Sequence, residues 1–206
     1  MAHDEARYEY RCFAQAFGLV ESRLRAAGGP PQIRESSEVY FVSRLDRQHN
    51  VKIRDGQLDI KVLLEVRHGL ERWNPLPRRD FPLGDAELAS FVAPALGPEL
   101  QFPPGSGESA GRLARTLSEA VNGVVVVELF KRRYGFLVDD CIAEYADVTL
   151  GGATIRTACI ESVDPERARR VVADIGLDAY PNTSYPAALR GITGLDWPPV
   201  TRAEPI

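Results

Sequence analysis

The sequence has few of the residues that mark specialised classes of protein. Only three of its 206 residues are cysteine, and an odd number of widely separated cysteines argues against a disulfide-stapled fold. No apolar run approaches the roughly 20 residues that span a bilayer. The polar N-terminus also lacks the apolar core of a signal peptide. These absences predict a cytoplasmic protein that does not contact a membrane.

Positive charge is not in excess either. The 25 lysines and arginines are outnumbered by 29 acidic residues, which gives a net charge of −4. A protein that coats nucleic acid by bulk charge is basic, so nucleic acid is an unlikely partner. With 44% hydrophobic residues the chain has ample material for a core. We predict a single domain over residues 1–206, with a strand-rich core at about 7–190 and a C-terminal tail at 191–206.

Seven segments are rich in β-branched or aromatic residues or alternate in polarity, and they predict strands. They cover residues 7–13, 38–45, 51–53, 58–66, 124–134, 135–150 and 155–162. Asp55–Gly56 joins two of them and predicts a tight hairpin, because glycine tolerates positive φ. Helical spacing predicts helices over residues 17–27, 85–95, 108–121 and 164–175, and a short helix near 186–190.

The strands fall into two blocks, each followed by helices. Consecutive strands with short turns are typical of antiparallel pairing, and helices at the sides are typical of mixed folds. We therefore predict an α+β fold, in which an antiparallel β-barrel or strongly curved sheet is flanked by helices.

Charged residues recur at a spacing of two within several predicted strands. Examples are Lys52 with Arg54 and Lys131 with Arg133. Residues two apart point to the same face of a strand. Basic pairs on one face of several strands would line a surface or channel with positive charge, and such a lining binds polyanions such as phosphate chains.

These motifs, in their order along the chain, resemble those of the CYTH superfamily, also called the triphosphate tunnel metalloenzymes. The family opens with the motif E-x-E-x-K and continues with basic, acidic and E-x-E strands. The matching segments here are Arg7–Arg11, Val51–Arg54, Leu58–Lys61, Lys131–Arg133, Ala143–Val148, Cys159–Glu161, a helix over Asp164–Leu177, and Thr183–Tyr185. The ordered set is more specific than any single motif, and it spans about residues 7–190.

The resemblance implies a tunnel that holds a small phosphorylated substrate, such as a triphosphate, a nucleotide or a polyphosphate. Arginine grips two phosphate oxygens at once and lysine supplies a point charge. The phosphate ligands that the resemblance implies are Arg11, Lys52, Arg54, Lys61, Lys131 and Arg133. It also implies Mg²⁺ or Mn²⁺ on carboxylate oxygens. The metal ligands that it implies are Glu9, Glu144 and Glu161.

Two positions depart from the family pattern. Arg7 stands where the opening motif has its first glutamate, and Cys159 stands where the last motif has its first glutamate. An arginine repels a cation, so we expect at most one metal. The remaining carboxylates could instead pair only with neighbouring basic side chains.

Several functions stay open on this basis. The first is metal-dependent hydrolysis of a triphosphate-containing substrate, with cyclisation as a variant of it. The second is a non-catalytic module that binds a nucleotide or polyphosphate, which the loss of two acidic positions favours. An RNA-binding barrel ranks last, because aromatic residues are few on the basic faces.

Overall fold

A computed structural model describes residues 5–120 and 123–195 of the protein. In these residues the chain forms eight β-strands, with helices after the first strand, between the two blocks and after the last strand. The strands are β1 (Arg7–Ala14), β2 (Gln32–Ser43), β3 (His49–Arg54), β4 (Gln57–Arg67), β5 (Leu70–Pro75), β6 (Val124–Val138), β7 (Cys141–Leu150) and β8 (Ala153–Ser162).

All eight strands join one closed barrel in the order β1-β5-β4-β3-β2-β6-β7-β8, and every neighbouring pair is antiparallel. Strands β1 and β8 close it through seven aligned residue pairs, from Tyr8–Ser162 to Ala14–Arg156. A closed barrel leaves no unpaired strand edge. The predicted α+β fold, an antiparallel barrel flanked by helices, is confirmed.

The strands differ from the prediction in three main respects. β2 begins at Gln32 rather than at Glu38. The prediction omits β5, because its mixed charges and the prolines that follow it resemble a loop. β6 and β7 meet at Asp139–Asp140 rather than after Tyr134. Both aspartates take positive φ, 45° and 55°, which aspartate tolerates in tight turns.

The predicted hairpin between β3 and β4 is confirmed. Asp55 and Gly56 have φ values of 54° and 77°, the positive values that a two-residue hairpin of type I′ requires.

Helices lie between β1 and β2, between β5 and β6, and after β8. They are α1 (Val20–Gly28), α2 (Asp85–Glu87), a π-helical turn (Leu88–Val92), α3 (Ala93–Leu96), α4 (Ala110–Ala120), α5 (Pro165–Ile175), a 3₁₀ turn (Leu177–Ala179) and α6 (Tyr185–Thr193). The helix predicted over 85–95 is thus three short pieces. The last residue of the helix predicted over 108–121 lies outside the described residues. In the described parts of the chain, no helix is long and apolar enough to cross a bilayer.

The outward faces of the strands pack against helices in two apolar clusters. Cys12, Leu24 and Val171 belong to the cluster beneath α1 and α5. Ile60 and Leu113 belong to the cluster beneath the π-helical turn, α3 and α4. Because successive strand residues face opposite sides, these contacts leave the alternate, mostly charged residues inside the barrel.

Helix α6 closes one end of the barrel, which we call the far end. Ser184 precedes it, and Tyr185 and Leu189 are buried in an apolar cluster with Tyr40 and Val127. The Tyr185 ring stacks on Tyr40 with centroids 5.2 Å apart and meets Phe13 edge-on at 5.0 Å. The short helix predicted at 186–190 is longer in the structure, where it runs over Tyr185–Thr193. Most of the predicted tail lies outside the described residues.

Tyr185→Ala is expected to lower the free energy of unfolding by roughly 3–5 kcal/mol, because removing a large buried ring leaves a cavity among the residues it packs against. The matched control is Ile192→Ala on the same helix, whose side chain is half exposed. We expect it to change stability by less than about 0.5 kcal/mol. Urea denaturation followed by circular dichroism measures both. Equal effects would contradict a closing role for Tyr185.

Candidate functional site

The barrel interior carries rows of charged side chains that the ladder register brings level with one another. Glu9 on β1 is opposite Glu161 on β8, and Lys52 on β3 is opposite Asp59 on β4. The inward-facing charged residues are Arg7, Glu9, Arg11, Arg34, Glu38, Lys52, Arg54, Asp59, Lys61, Glu71, Lys131, Arg133, Glu144 and Glu161. The interior is therefore strongly charged, and it contains residues of both signs.

A cavity of about 520 Å³ opens at the end of the barrel opposite α6. Its walls carry six cationic and five acidic side chains. The cationic residues are Arg7, Arg34, Arg54, Lys61, Arg78 and Arg133. The acidic residues are Glu5, Glu9, Asp59, Glu144 and Glu161. A cavity of this size is in the range of small-molecule sites.

The six implied phosphate ligands divide into two groups. Arg54, Lys61 and Arg133 line the cavity. Arg11, Lys52 and Lys131 also point inward, but they do not line it and are at most 6% exposed. All of them are inside one barrel, yet only the first group is in reach of a ligand in the cavity as it stands.

Glu38 contacts Lys52 and Lys131 of the buried group and Arg133 of the cavity-lining group, and the sequence analysis did not single it out. Its carboxylate accepts hydrogen bonds from Lys131 Nζ at 2.8 Å and from Tyr40 Oη at 2.9 Å. Arg133 Nη2 lies at 2.5 Å and Lys52 Nζ at 3.4 Å. Burial alone would raise the pKa of Glu38, but these three cations outweigh burial and lower it well below its usual range. The spacing of two between Glu38 and Tyr40, which puts both side chains on one face of the strand, was the feature of the sequence that could have indicated this role.

The three implied metal ligands, Glu9, Glu144 and Glu161, lie together and form what we call the acidic wall. Each faces one nitrogen of the Arg11 guanidinium. Nε lies 2.6 Å from Glu9, Nη1 lies 3.0 Å from Glu144 and Nη2 lies 3.7 Å from Glu161. The alternative that these carboxylates pair with neighbouring cations therefore describes their contacts in this structure.

The acidic wall partly fits a divalent cation. One ligand atom each from Glu9, Glu161 and Cys159 lie within 4.8 Å of one another. The two carboxylates are the oxygen donors that Mg²⁺ and Mn²⁺ prefer. Cys159 does not suit these ions, since burial raises the pKa of its thiol well above the usual range and sulfur is a soft ligand. Arg7 lies two residues from Glu9 on the same inner face and lines the cavity.

Acidic residues also hold the cations at the open end. Asp59 accepts a hydrogen bond from Arg54 Nη2 at 2.8 Å, and Arg78 Nε lies 3.7 Å from the same carboxylate. Arg34 is paired with Asp55. The sequence analysis gave no role to Asp59, although it stands two residues before Lys61 on the same strand, or to Arg34, which has no basic residue at that spacing.

The acidic wall should make stability depend on pH. Burial alone would raise the pKa of Glu144, but Arg11, Arg133 and Lys131 outweigh burial and lower it from 4.5 to about 2. The charged carboxylate therefore stabilises the folded state fully above pH 4.5, and this stabilisation is lost as the pH falls towards 2. A shift of this size corresponds to about 3 kcal/mol.

We expect Glu144→Gln to be less stable than the wild type at neutral pH, and the difference to shrink between about pH 4.5 and 2. Urea denaturation at stepped pH measures it. The control is Asp147→Asn, which removes a carboxylate from the outer face of the same strand, where its ion pair with Arg156 is partly exposed. A wild-type–Glu144→Gln difference that stays constant down to pH 2 would contradict the pKa shift.

Neither protein-family models nor curated protein sequences match this chain. Solved structures do. A candidate adenylate cyclase from Bacillus halodurans has a TM-score of 0.51 and 14% identity, over 89% of this chain and 97% of that one. A candidate adenylyl cyclase from Hippeastrum with a dominant triphosphatase activity has a TM-score of 0.47 and 13% identity, over 91% of this chain and 96% of that one. The protein PH1012 from Pyrococcus horikoshii has a TM-score of 0.48 and 15% identity, over 82% of this chain and 90% of that one.

Both the barrel topology and the likeness to the Bacillus halodurans structure agree with the fold that the sequence resemblance predicts. The strands of the two blocks, the inward basic rows and the closing helix follow one another in the expected order. The chain thus shares its fold with the Bacillus halodurans structure, as expected from the resemblance of its motifs to the CYTH superfamily.

Proposed function

We propose that the cavity binds the phosphate chain of a small triphosphate-containing compound or a polyphosphate. One observation carries this proposal: Arg54, Lys61 and Arg133 come from three different strands and line a single cavity. Cations that converge from several strands onto an enclosed space suit a ligand with several anionic groups.

Unsatisfied hydrogen-bond donors on Arg54 and Arg133 support the proposal. Within the described residues, Nε of Arg54 and Nε of Arg133 are buried donors without a hydrogen-bond partner, although Arg133 Nε lies 3.4 Å from the Glu144 carboxylate in an ion pair. Buried N–H groups are rarely left unpaired, because the loss of water is not compensated. A phosphate oxygen in the cavity would supply the acceptor. The planar fork of arginine matches the geometry of phosphate, whereas lysine offers only a point charge.

Hydrolysis of the bound compound is the activity we propose for this site. The observation that favours it is the grouping of carboxylates on the wall that faces the same cavity. Glu9 and Glu161, with Glu144 beside them, would hold Mg²⁺ or Mn²⁺. The ion would neutralise charge on the phosphate chain as it reacts. Arg54 and Arg133 would fix the chain against it, so that positioning and electrostatics do most of the work.

A non-catalytic receptor is the second candidate. Arg7 and Cys159 stand where two further carboxylates would complete the family pattern, and the acidic wall already has cationic partners. A site with these features binds an anion more readily than it binds a metal.

Isothermal titration with inorganic triphosphate, with and without Mg²⁺, tests the proposal when phosphate release is assayed in the same samples. Binding with metal-dependent release supports the hydrolase. Binding without release supports the receptor. If triphosphate, a nucleoside triphosphate and a longer polyphosphate all fail to bind under either condition, the proposal is wrong.

Arg133→Gln is expected to weaken triphosphate binding by about tenfold or more, because one charged hydrogen bond is worth about 1.5–3 kcal/mol. Arg132→Gln is the matched control. Its side chain lies on the outer face of the same strand, half exposed and 3.6 Å from Glu35. Titration should find its affinity unchanged. Equal losses in both variants would indicate a general charge effect instead of a site in the cavity.

A further inference from the structure

The surroundings of Arg11 differ from those of a phosphate ligand. Arg11 does not line the cavity, and only 5% of its surface is exposed. Its three guanidinium nitrogens face three carboxylates that belong to β1, β7 and β8. The Tyr185 ring covers the guanidinium, with 4.9 Å between Cζ and the ring centroid. An anion could reach this group only by displacing the carboxylates.

The charges around the acidic wall are balanced without any bound ion. Besides Arg11, Lys61 Nζ lies 3.8 Å from Glu9, and Arg133 Nε lies 3.4 Å from Glu144. Three carboxylates thus face three cations, of which Arg133 is shared with Glu38. A divalent cation is attracted by a local excess of negative charge, and Mg²⁺ gives up its water reluctantly. Here it would have to separate existing ion pairs first.

We propose that Arg11 is a resident counter-cation of the acidic wall, so that a divalent metal binds these carboxylates only in competition with its guanidinium. The cavity then takes its phosphate-bearing ligand without a metal bound beforehand. This second statement rests on the proposed function, whereas the first concerns the protein alone. Arg11 is accordingly a positioning residue and not a phosphate ligand.

The first statement is tested by titrating Mn²⁺ into the protein without any phosphate compound and following free Mn²⁺ by electron paramagnetic resonance. The wild type should show no stoichiometric site of micromolar affinity. Arg11→Gln should bind Mn²⁺ at least about tenfold more tightly, since the guanidinium no longer competes. Arg11→Lys keeps the charge but has one nitrogen instead of three, so its affinity should be intermediate.

The matched control is Arg156→Gln, which removes the same charge from the outer face of β8, where Arg156 pairs with Asp147. Its Mn²⁺ affinity should equal that of the wild type. Circular dichroism and thermal unfolding establish which variants are folded. A tight Mn²⁺ site in the wild type overturns the inference whatever the variants do. Folded Arg11→Gln and Arg11→Lys that bind no more tightly than the wild type also overturn it.

The second statement is tested by calorimetric titration of wild-type protein with triphosphate in EDTA. Binding in EDTA is the expected result. Binding that occurs only when Mg²⁺ is added contradicts the second statement and leaves the proposed function intact. Absence of binding with and without Mg²⁺ contradicts the proposed function, while the Mn²⁺ titration still decides the role of Arg11.

Discussion

Ion pairing inside a closed barrel is the constraint on which the rest of this structure depends. Charges removed from water are costly unless opposite charges and hydrogen bonds compensate them. The interior meets this requirement with two acidic centres: Glu38, which holds Lys52, Lys131 and Arg133, and the acidic wall around Arg11. The barrel can therefore keep many cations inward without binding a ligand.

The same constraint explains how the barrel differs along its axis. At the far end, Tyr185 and mostly apolar side chains fill the interior. In the middle, Glu38, Lys52 and Lys131 are almost fully buried. Only near the open end do charged groups such as Arg54 and Lys61 border a cavity.

Spacing and turn chemistry predict much of this architecture. The Asp55–Gly56 hairpin, the charge pairs at a spacing of two and the order of motifs are local features, so the sequence shows them directly. The partners of those charges are not local. Glu38 meets Lys131 across 93 positions, and only the closed barrel brings Arg11 to Glu144, 133 positions away. Strand alternation could indicate that Arg11 points inward, but not that its nitrogens already have partners.

A crystal structure of the protein grown with inorganic triphosphate is the most direct test of the central claim, that the inward cations of the cavity bind a phosphate chain. We expect phosphate oxygens about 3 Å from Nε of Arg54 and Nε of Arg133, two cavity-lining arginines whose Nε donors have no hydrogen-bond partner within the described residues. Triphosphate bound only on the outer surface of the barrel, with neither Nε atom hydrogen-bonded to it, would contradict this claim.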